Sequence, residues 1–384
     1  MFRVISFRPG VIGNDTAFEC MALIYKTLQK KYGYKFTIVK SQQDDYHDFD
    51  LEIVSVSGKI WKPLPDMPFF PYAFARRKIL EPLFKNHDVI LTVDPTRYYQ
   101  GLIAIRYGHR MGLPVFFDAS LTLLGQNMGI FWKFFRPIIK KALYQSTGII
   151  VTVPKCIERF NDLRLFNGSI APKFNIMGHP VDTTVFKPKP KRSEQDGILR
   201  ILAVSRLVPE KGFLYILEAM DPLLKENKRC VFQILGSGPM KGLLEKEIRE
   251  RHLDRQVEFI KPVPHAELPE VLGSADVFVS HMVPDSRAEE AFGAVNLEAM
   301  ACGLPSVLSR VGGIPYAVRE DGVAVPVEPR NIIDLRRSLK NLIVSEQQRK
   351  EIGEKARAYV HKYYGIDPIA EKYHKMLESS SVHK

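Results

Sequence analysis

Short apolar runs recur along the chain and alternate with longer stretches that are typical of helices. Because strands separated by helices pair side by side in one direction, this alternation predicts an α/β protein with helices on both faces of parallel sheets. Ten runs read as strands: FRVISF, FTIVKS, DVILTV, PVFFDA, GIIVTV, RILAVS, VFQIL, VEFI, DVFVSH and PSVLS.

Residues 187–197, KPKPKRSEQDG, form the least structured interval of the sequence. Their prolines, charges and glycine are typical of an exposed linker between two halves that each have their own strands. We therefore predict two Rossmann-like domains, residues 1–184 and 185–364, that face a central cleft and bind ligands at the carboxyl ends of their strands. A helix over about 365–384 is expected to pack back on the first domain.

Composition is compatible with two globular cores, since 45% of the 384 residues are hydrophobic. The N-terminus runs directly into a strand, and no run of about 18 apolar residues follows, so neither a signal peptide nor a membrane span is expected. Four cysteines lie far apart without metal-binding spacing, which indicates free thiols and a cytoplasmic protein. They are Cys20, Cys156, Cys230 and Cys302.

The net charge of +12 lies entirely within residues 1–200, whereas residues 201–384 contain equal numbers of basic and acidic side chains. This asymmetry suggests that the N-terminal half faces a polyanion, either a nucleic acid or an anionic membrane surface. A basic surface that only keeps the protein soluble is the alternative interpretation.

The segment RILAVSRLVPEKGF contains a strand followed by a loop with Arg206 and Lys211. Both cations would project from the carboxyl end of the strand. A guanidinium binds phosphate oxygens in a fork and a lysine adds a mobile charge, so the pair can neutralise a diphosphate. Solvated surface cations are an equally good interpretation of this segment taken alone.

The strand VFQIL ends in the turn Gly236-Ser237-Gly238-Pro239. Glycines in such a turn let a ligand approach the backbone, although ordinary turns between a strand and a helix use glycine as well. The helical periodicity of the following KGLLEKEIRERH predicts a solvated outer helix.

The stretch EEAFGAVNLEAMACGLP predicts a helix that begins near Phe292 to Ala294 and ends at a left-handed Gly303. Free N–H groups at Gly293, Ala294 and Val295 would attract a phosphate. Glu290 and Glu298 flank this start and can accept hydrogen bonds from sugar hydroxyls. Without neighbouring cations, the two acids are more typical of a solvated helix face.

Together these segments resemble the retaining glycosyltransferases of family 4, which have the two-domain GT-B fold. The matching segments are SRLVPEKG, GSGP, VEFIKPVPHAELPEVLGSADVFVS, EEAFGAVNLEAMACGLPSV, VGGIPYAV and, upstream, GHPVDTTVFKP. The resemblance is dense over about residues 178–335 and weak before them. It implies a nucleotide-diphosphate sugar donor, UDP- or GDP-linked, in the C-terminal domain and a hydroxyl acceptor in the N-terminal domain.

The resemblance also implies roles for single residues. Arg206 and Lys211 match the cations that hold the donor diphosphate, Glu290 matches the acid that faces the transferred sugar, and Glu298 matches the acid that binds the ribose. The backbone of residues 293–295 matches the phosphate-binding helix start. Gly236 and Gly238 belong to the donor side.

The acceptor side matches the family less well. Gly10 and Gly13-Asn14 resemble the family's N-terminal glycine loop. Many relatives have a histidine where this chain has Ser120, with Asp118 nearby, and Tyr316 stands where an acid is usual. We expect Gly13, Asn14, Asp118 and Ser120 to line the acceptor side.

No cofactor or metal is expected, because the leaving phosphate can itself accept the proton of the acceptor hydroxyl. Asp48-Phe-Asp50 fits a metal-binding DxD pattern, but it lies in the acidic run DDYHDFD, which is typical of a surface.

Residues 129–143 predict a basic amphipathic helix. Its apolar face comprises Phe131, Phe134, Phe135, Ile138, Ile139 and Ala142, and its basic face Lys133, Arg136, Lys140 and Lys141. Such a helix either packs against the core or lies on an anionic membrane, where it would bring a peripheral enzyme to a lipid-linked acceptor on the inner face of the cell membrane. The aromatic, basic tract at 68–78 favours the second interpretation.

Two other functions remain open. An enzyme that modifies nucleotide sugars, such as an epimerase, would share the glycine turns but needs an acid/base pair. A basic protein that binds membranes or nucleic acid would explain the charge, but it leaves both cations and both glutamates without a role. We therefore expect no nucleic-acid partner.

Overall fold

The computed structural model describes residues 1–8, 16–42, 46–48, 50–56, 77–95, 99–119, 129–162, 165, 173–284 and 293–381. The chain divides into two compact units. The first comprises Met1–Pro180 with Ile366–Lys384, and the second comprises Val181–Gly365.

The first unit is built on a seven-stranded parallel sheet. Its strands are β1 (Arg3–Phe7), β2 (Lys35–Ser41), β3 (Glu52–Val56), β4 (Val89–Val93), β5 (Val115–Asp118), β6 (Gly148–Val151) and β7 (Phe174–Ile176). They lie in the order β3-β2-β1-β4-β5-β6-β7. The helices of this part of the chain are α1 (Thr16–Tyr32), α2 (Arg77–Lys85), α3 (Tyr99–Arg110), α4 (Gly129–Gln145) and α5 (Lys155–Asp162).

The second unit is built on a six-stranded parallel sheet. Its strands are β8 (Leu199–Val204), β9 (Cys230–Leu235), β10 (Val257–Ile260), β11 (Val277–Ser280), β12 (Ser306–Ser309) and β13 (Val325–Val327), in the order β10-β9-β8-β11-β12-β13. Its helices are α6 (Ser193–Asp196), α7 (Phe213–Glu226), α8 (Lys241–Glu250), α9 (Leu268–Ser274), α10 (Ala294–Ala301), α11 (Ile314–Ala317), α12 (Ile332–Val344) and α13 (Glu346–Tyr364).

The core of the second unit shows why this sequence forms layers. Every residue of β9 and β12 is buried, because helices cover both faces of the sheet. The apolar residues of α7 recur every three or four positions, so they share one face that packs toward the sheet. They are Phe213, Ile216, Leu217, Met220, Leu223 and Leu224.

The last helix, α14 (Ile366–Ser381), belongs to the first unit and packs against α1. The Tyr34 hydroxyl and His374 Nδ1 are 2.9 Å apart, and the His374 ring stacks on Tyr32. The Tyr373 hydroxyl donates to the Met21 sulfur over 3.7 Å. The chain thus completes the first unit with its C-terminal segment.

The strand order of the second unit reverses at its centre. Strands β8, β9 and β10 extend to one edge, whereas β11, β12 and β13 extend from the other side of β8. At such a switch point the connections leave neighbouring strands toward opposite faces, which opens a crevice at the carboxyl ends. The loops after β8 and β11 therefore border the natural ligand position of this sheet.

The α/β class with two Rossmann-like parallel sheets is confirmed, and all ten predicted strands are present. The structure adds β3, β7 and β13, which the apolar pattern did not reveal. Each of the three lies at an edge of its sheet.

The segment predicted as an exposed linker, residues 187–197, is mostly exposed, and two of its lysines anchor it to the second unit. Lys189 pairs with Glu270, and Lys191 Nζ donates to the Gly273 carbonyl at 3.3 Å. Burial lowers the pKa of Lys191. The segment is mostly exposed, yet α9 holds it in place.

The apolar face predicted for α4 is divided in the structure. Ile139, Ala142 and Leu143 are buried, whereas Ile138 is 54% exposed and faces away from the core. Ile138 therefore does not share a face with Ile139 and Ala142, and the core-facing interpretation holds for the buried stripe. None of the helices that the structure describes is long and apolar enough to cross a membrane.

Candidate functional site

The two predicted cations lie in the loop between β8 and α7. The Arg206 side chain is 75% exposed, and its Nη2 is 4.0 Å from Glu210 Oε1. Lys211 ends a 3-10 turn, Pro209–Lys211, and its Nζ contacts the Met282 sulfur at 3.7 Å. Since Met282 follows β11, the lysine lies between the two loops of the switch point.

Glycine at position 212 fixes the spacing of these two loops. Gly212 has φ +64°, and a Cβ there would collide with the His281 carbonyl oxygen. The same two loops are also joined by a hydrogen bond, in which the Val283 N–H donates to the Glu210 carbonyl at 3.0 Å. The backbone that positions Lys211 is thus packed directly on the segment that follows β11.

His281 is a buried support of the same segment. The Arg330 N–H donates to its Nε2 at 3.1 Å, and burial lowers the pKa of His281 to about 4. The imidazole is therefore neutral near pH 7. The Arg330 guanidinium also donates to the Pro284 carbonyl at 2.8 Å, so the loop before α12 holds residues 281–284 in place.

The GSGP turn packs against the loop after β8. A Cβ at Gly236 would collide with the Ser205 carbonyl oxygen, and one at Gly238 would collide with that of Leu207. The Leu207 N–H donates to the Ser237 carbonyl at 2.8 Å. Close backbone packing is therefore sufficient to require both glycines, and it sets the path of the loop that contains Arg206.

Helix α10 begins as predicted. Gly293 has φ +79° and is the N-cap residue, and Ala294 and Val295 form the first turn. Gly303, with φ +72°, follows the helix end as the predicted left-handed residue. Asn296 is buried in the first turn, and neither its Oδ1 nor its Nδ2 has a hydrogen-bond partner among the described residues.

Glu298 is buried rather than solvated, with 7% of its surface exposed. His265 Nε2 lies 2.9 Å from Oε1 of Glu298. The imidazole ring packs against the Phe186 ring, with the ring centroids 5.4 Å apart. A buried carboxylate needs such a partner to offset its desolvation. The interpretation of Glu298 as part of a solvated helix face is therefore wrong.

Sequence reasoning missed His265 and Asn296. Nothing in the spacing of HAELPE indicates that its histidine reaches an acid 33 positions away. Asn296 gave a weak signal, because a polar residue interrupts the otherwise apolar first turn of the helix AVNLEAMA.

Four predicted site residues, Glu290, Gly13, Asn14 and Ser120, lie outside the described residues. Asp118 is described and lies at the carboxyl end of β5 in the first unit. Its Oδ2 is 3.5 Å from Nη2 of Arg8, which directly follows β1.

Arg8, whose side chain is only 11% exposed, is a cation that the sequence analysis missed. Burial lowers its pKa, but the neighbouring Tyr25 and Asp118 more than compensate, so the pKa of Arg8 is raised overall. Burial raises the pKa of Tyr373 in the same cluster. Asp118 is thus held by a permanent positive charge at the edge where β1 and β5 end.

Lys26 forms ion pairs with both acids of the DxD pattern, Asp48 and Asp50. Its Nζ is 2.9 Å from Asp48 Oδ2 and 3.1 Å from Asp50 Oδ2. Within the described ranges, no group of three or more His, Cys, Asp or Glu side chains could hold a metal ion. The roles assigned to single site residues stay predictions.

The second unit matches a known family. Residues 186–359 fit the family model "Glycosyl transferases group 1". The second unit is thus similar in sequence to the group 1 glycosyltransferases. The matched region includes both cations, the GSGP turn, His265 and the whole of α10.

Curated relatives agree with this match. The chain is 35% identical over 270 residues to a phosphatidylinositol N-acetylglucosaminyltransferase subunit of Arabidopsis thaliana, covering 69% of this chain and 57% of the relative. It is also 29% identical over 230 residues to a GDP-mannose-dependent alpha-(1-6)-phosphatidylinositol monomannoside mannosyltransferase of Mycolicibacterium smegmatis. This alignment covers 56% of this chain and 59% of the relative. The matched region spans less than two thirds of either relative.

Solved glycosyltransferases share the fold over almost the whole chain. Anabaena HepE in complex with UDP aligns with a TM-score of 0.76 at 16% identity, covering 99% of this chain and all of HepE. Sucrose-phosphate synthase from Thermosynechococcus elongatus aligns with a TM-score of 0.69 at 16% identity, covering both chains fully. The fold is therefore GT-B.

Proposed function

We propose that this protein is a retaining glycosyltransferase of family 4 that moves a hexosyl group from a UDP- or GDP-sugar to a hydroxyl acceptor without a metal ion. The arrangement at the β8/β11 switch point supports this function most directly. Lys211 lies against the segment after β11, and α10 is the next helix along the chain that the structure describes. Cations and a helix start at this position suit a diphosphate.

Glu298 suits the ribose of the donor. His265 is paired with Oε1, and a carboxylate has further acceptor capacity at Oε2, which in this proposal accepts a hydrogen bond from a ribose hydroxyl. A carboxylate near a diphosphate is tolerable when cations offset its charge, and Arg206 and Lys211 have that role in the proposal. Glu290 would face the transferred sugar.

The reaction would proceed by direct displacement on one face of the sugar. The bond between the anomeric carbon and the donor phosphate oxygen breaks, and the acceptor oxygen bonds to the same carbon. The acceptor proton passes to the departing phosphate oxygen. Negative charge grows on the diphosphate during this step, so Arg206, Lys211 and the helix start would stabilise the transition state more than the ground state.

A lipid-linked acceptor is part of the proposal. Two relatives have phosphatidylinositol in their names. In addition, α4 exposes Ile138 and Tyr144 on either side of the exposed Lys141. Apolar side chains beside a lysine suit an anionic membrane surface, so we infer peripheral contact on the inner face of the membrane.

A panel of nucleotide sugars tests the proposed function, with nucleotide release measured in the presence of lipid-linked and soluble acceptors. The Lys211→Ala variant should lose roughly 10²–10³-fold in kcat/KM, the usual cost of one lost donor to a developing oxyanion. Lys228→Ala is the matched control, because this exposed lysine precedes β9 at the other end of the sheet.

Near-normal turnover of Lys211→Ala would contradict the assignment. Conversion of a nucleotide sugar to its epimer without an acceptor would favour a sugar-modifying enzyme instead.

A further inference from the structure

Asn296 is a buried amide without a hydrogen-bond partner. It is 2% exposed, and both Oδ1 and Nδ2 lack a partner within the part of the chain that the structure describes. An amide buried in this way weakens a fold, because it loses its hydrogen bonds to water and gains none. The position therefore suits a partner that arrives from outside the protein.

The amide is directed toward the start of α10. Side chains of a helix lean toward its N-terminus, so the third residue of α10 reaches back over the first turn. A Cβ at Gly293 would collide with Asn296 Nδ2. Glycine at the N-cap thus leaves room for the amide beside the backbone of the helix start.

This helix start is suited to an anion for independent reasons. Gly293 has no side chain that could cap the helix, and its carbonyl accepts the Asn296 N–H at 2.9 Å. The N–H groups of Ala294 and Val295, in the first turn, point away from the helix, where its dipole is positive. A side-chain N–H next to these groups adds a donor of the same kind.

We propose that Asn296 is a binding residue for the donor diphosphate and that its Nδ2 donates a hydrogen bond to a phosphate oxygen at the start of α10. This inference rests on the proposed function. It assigns to a side chain part of the phosphate recognition that the helix backbone would otherwise provide alone. Binding of nucleotide supplies the partner that the free protein lacks.

Asn296→Leu separates this role from a structural one. Leucine has nearly the shape of asparagine but no polar atom, so the ligand-free variant should melt at the same temperature as the wild type or higher. Its affinity for UDP or GDP should nevertheless fall about tenfold or more, since a hydrogen bond to a charged phosphate is lost. Asn296→Asp should bind still more weakly, because a carboxylate would repel the phosphate.

The measurements are thermal unfolding without ligand, and calorimetric titration with UDP, GDP and the nucleosides uridine and guanosine. Nucleoside affinity, where it is measurable, should not change, because nucleosides have no phosphate. Asn341→Leu is the matched control, since this asparagine is exposed on α12 and should affect neither melting nor binding.

The outcomes distinguish the two hypotheses. If the wild type binds a nucleoside diphosphate and Asn296→Leu binds it equally well, the role of Asn296 is refuted and the proposed function stands. If the wild type binds no nucleoside diphosphate, the proposed function fails and this inference fails with it. Should Asn296→Leu not fold, Asn296→Asp and Asn296→Ser provide the same comparison.

Discussion

Glu298, His265 and Asn296 show what a sequence can and cannot reveal about single residues. The acid was predicted because its distance from a helix start is visible along the chain. Its histidine partner lies in the loop after β10, and only the fold brings the two side chains to 2.9 Å. Asn296 is likewise unpaired because the fold buries it, which the local sequence does not show.

His281 gives the molecule a predictable response to acid. Its pKa in the folded protein is about 4, below the unfolded value near 6.5, because burial disfavours the imidazolium. The unfolded chain therefore binds the extra proton first. Stability should be complete above about pH 6.5 and fall as the pH decreases toward 4, by roughly 3 kcal/mol from this group.

Denaturant unfolding at several pH values, compared between the wild type and His281→Asn, measures this effect. The variant should be less sensitive to pH between 6.5 and 4, while His361→Asn, an exposed control on α13, should follow the wild type. Equal pH dependence in all three proteins would mean that His281 does not titrate as its burial requires.

At the scale of elements, central strands were predictable and edge strands were not. A central strand such as β9 is buried along its whole length, so its sequence, CVFQIL, is almost continuously apolar. Strands β3 and β7 each expose part of their residues, and β13 contains Pro326, so none of the three has a clear apolar run. Their pairing depends on a neighbour whose position the local sequence does not encode.

Two glycines of the second unit should respond in opposite ways to alanine. Gly236 lies against the Ser205 carbonyl, so Gly236→Ala must push the turn away from the loop that contains Arg206. We expect a loss of stability of about 1–3 kcal/mol, typical of forced overpacking. Gly242 has open space around its Cβ position near the start of α8, and Gly242→Ala should stabilise by up to about 1 kcal/mol.

Urea unfolding of both variants tests this pair. The change in the free energy of unfolding should then have opposite signs in the two variants, because the surroundings of the two glycines differ. A stabilising effect of Gly236→Ala would show that this turn is not packed against the loop as described.

At the scale of the whole molecule, charge and exposed apolar side chains suggest where a membrane would bind. The excess positive charge lies in residues 1–200, and the first unit also contains α4, with Ile138 and Tyr144 exposed by 54% and 42%. Residues 201–365, which form most of the second unit, contain equal numbers of acidic and basic side chains, so they offer no comparable attraction. This arrangement would hold the first unit, with the acceptor side that we propose for it, at an anionic surface.

Vesicle sedimentation tests this arrangement with a matched pair of variants. The wild type should bind vesicles with anionic lipids, bind less as salt increases, and ignore neutral vesicles, because attraction between lysines and lipid headgroups is screened by salt. Ile138→Ser should weaken binding, since it removes an apolar side chain that would insert between headgroups. Ile333→Ser removes an even more exposed isoleucine, 78% exposed, from the second unit and should have no effect. Equal binding by both variants, or binding that ignores lipid charge, would exclude α4 as the membrane contact.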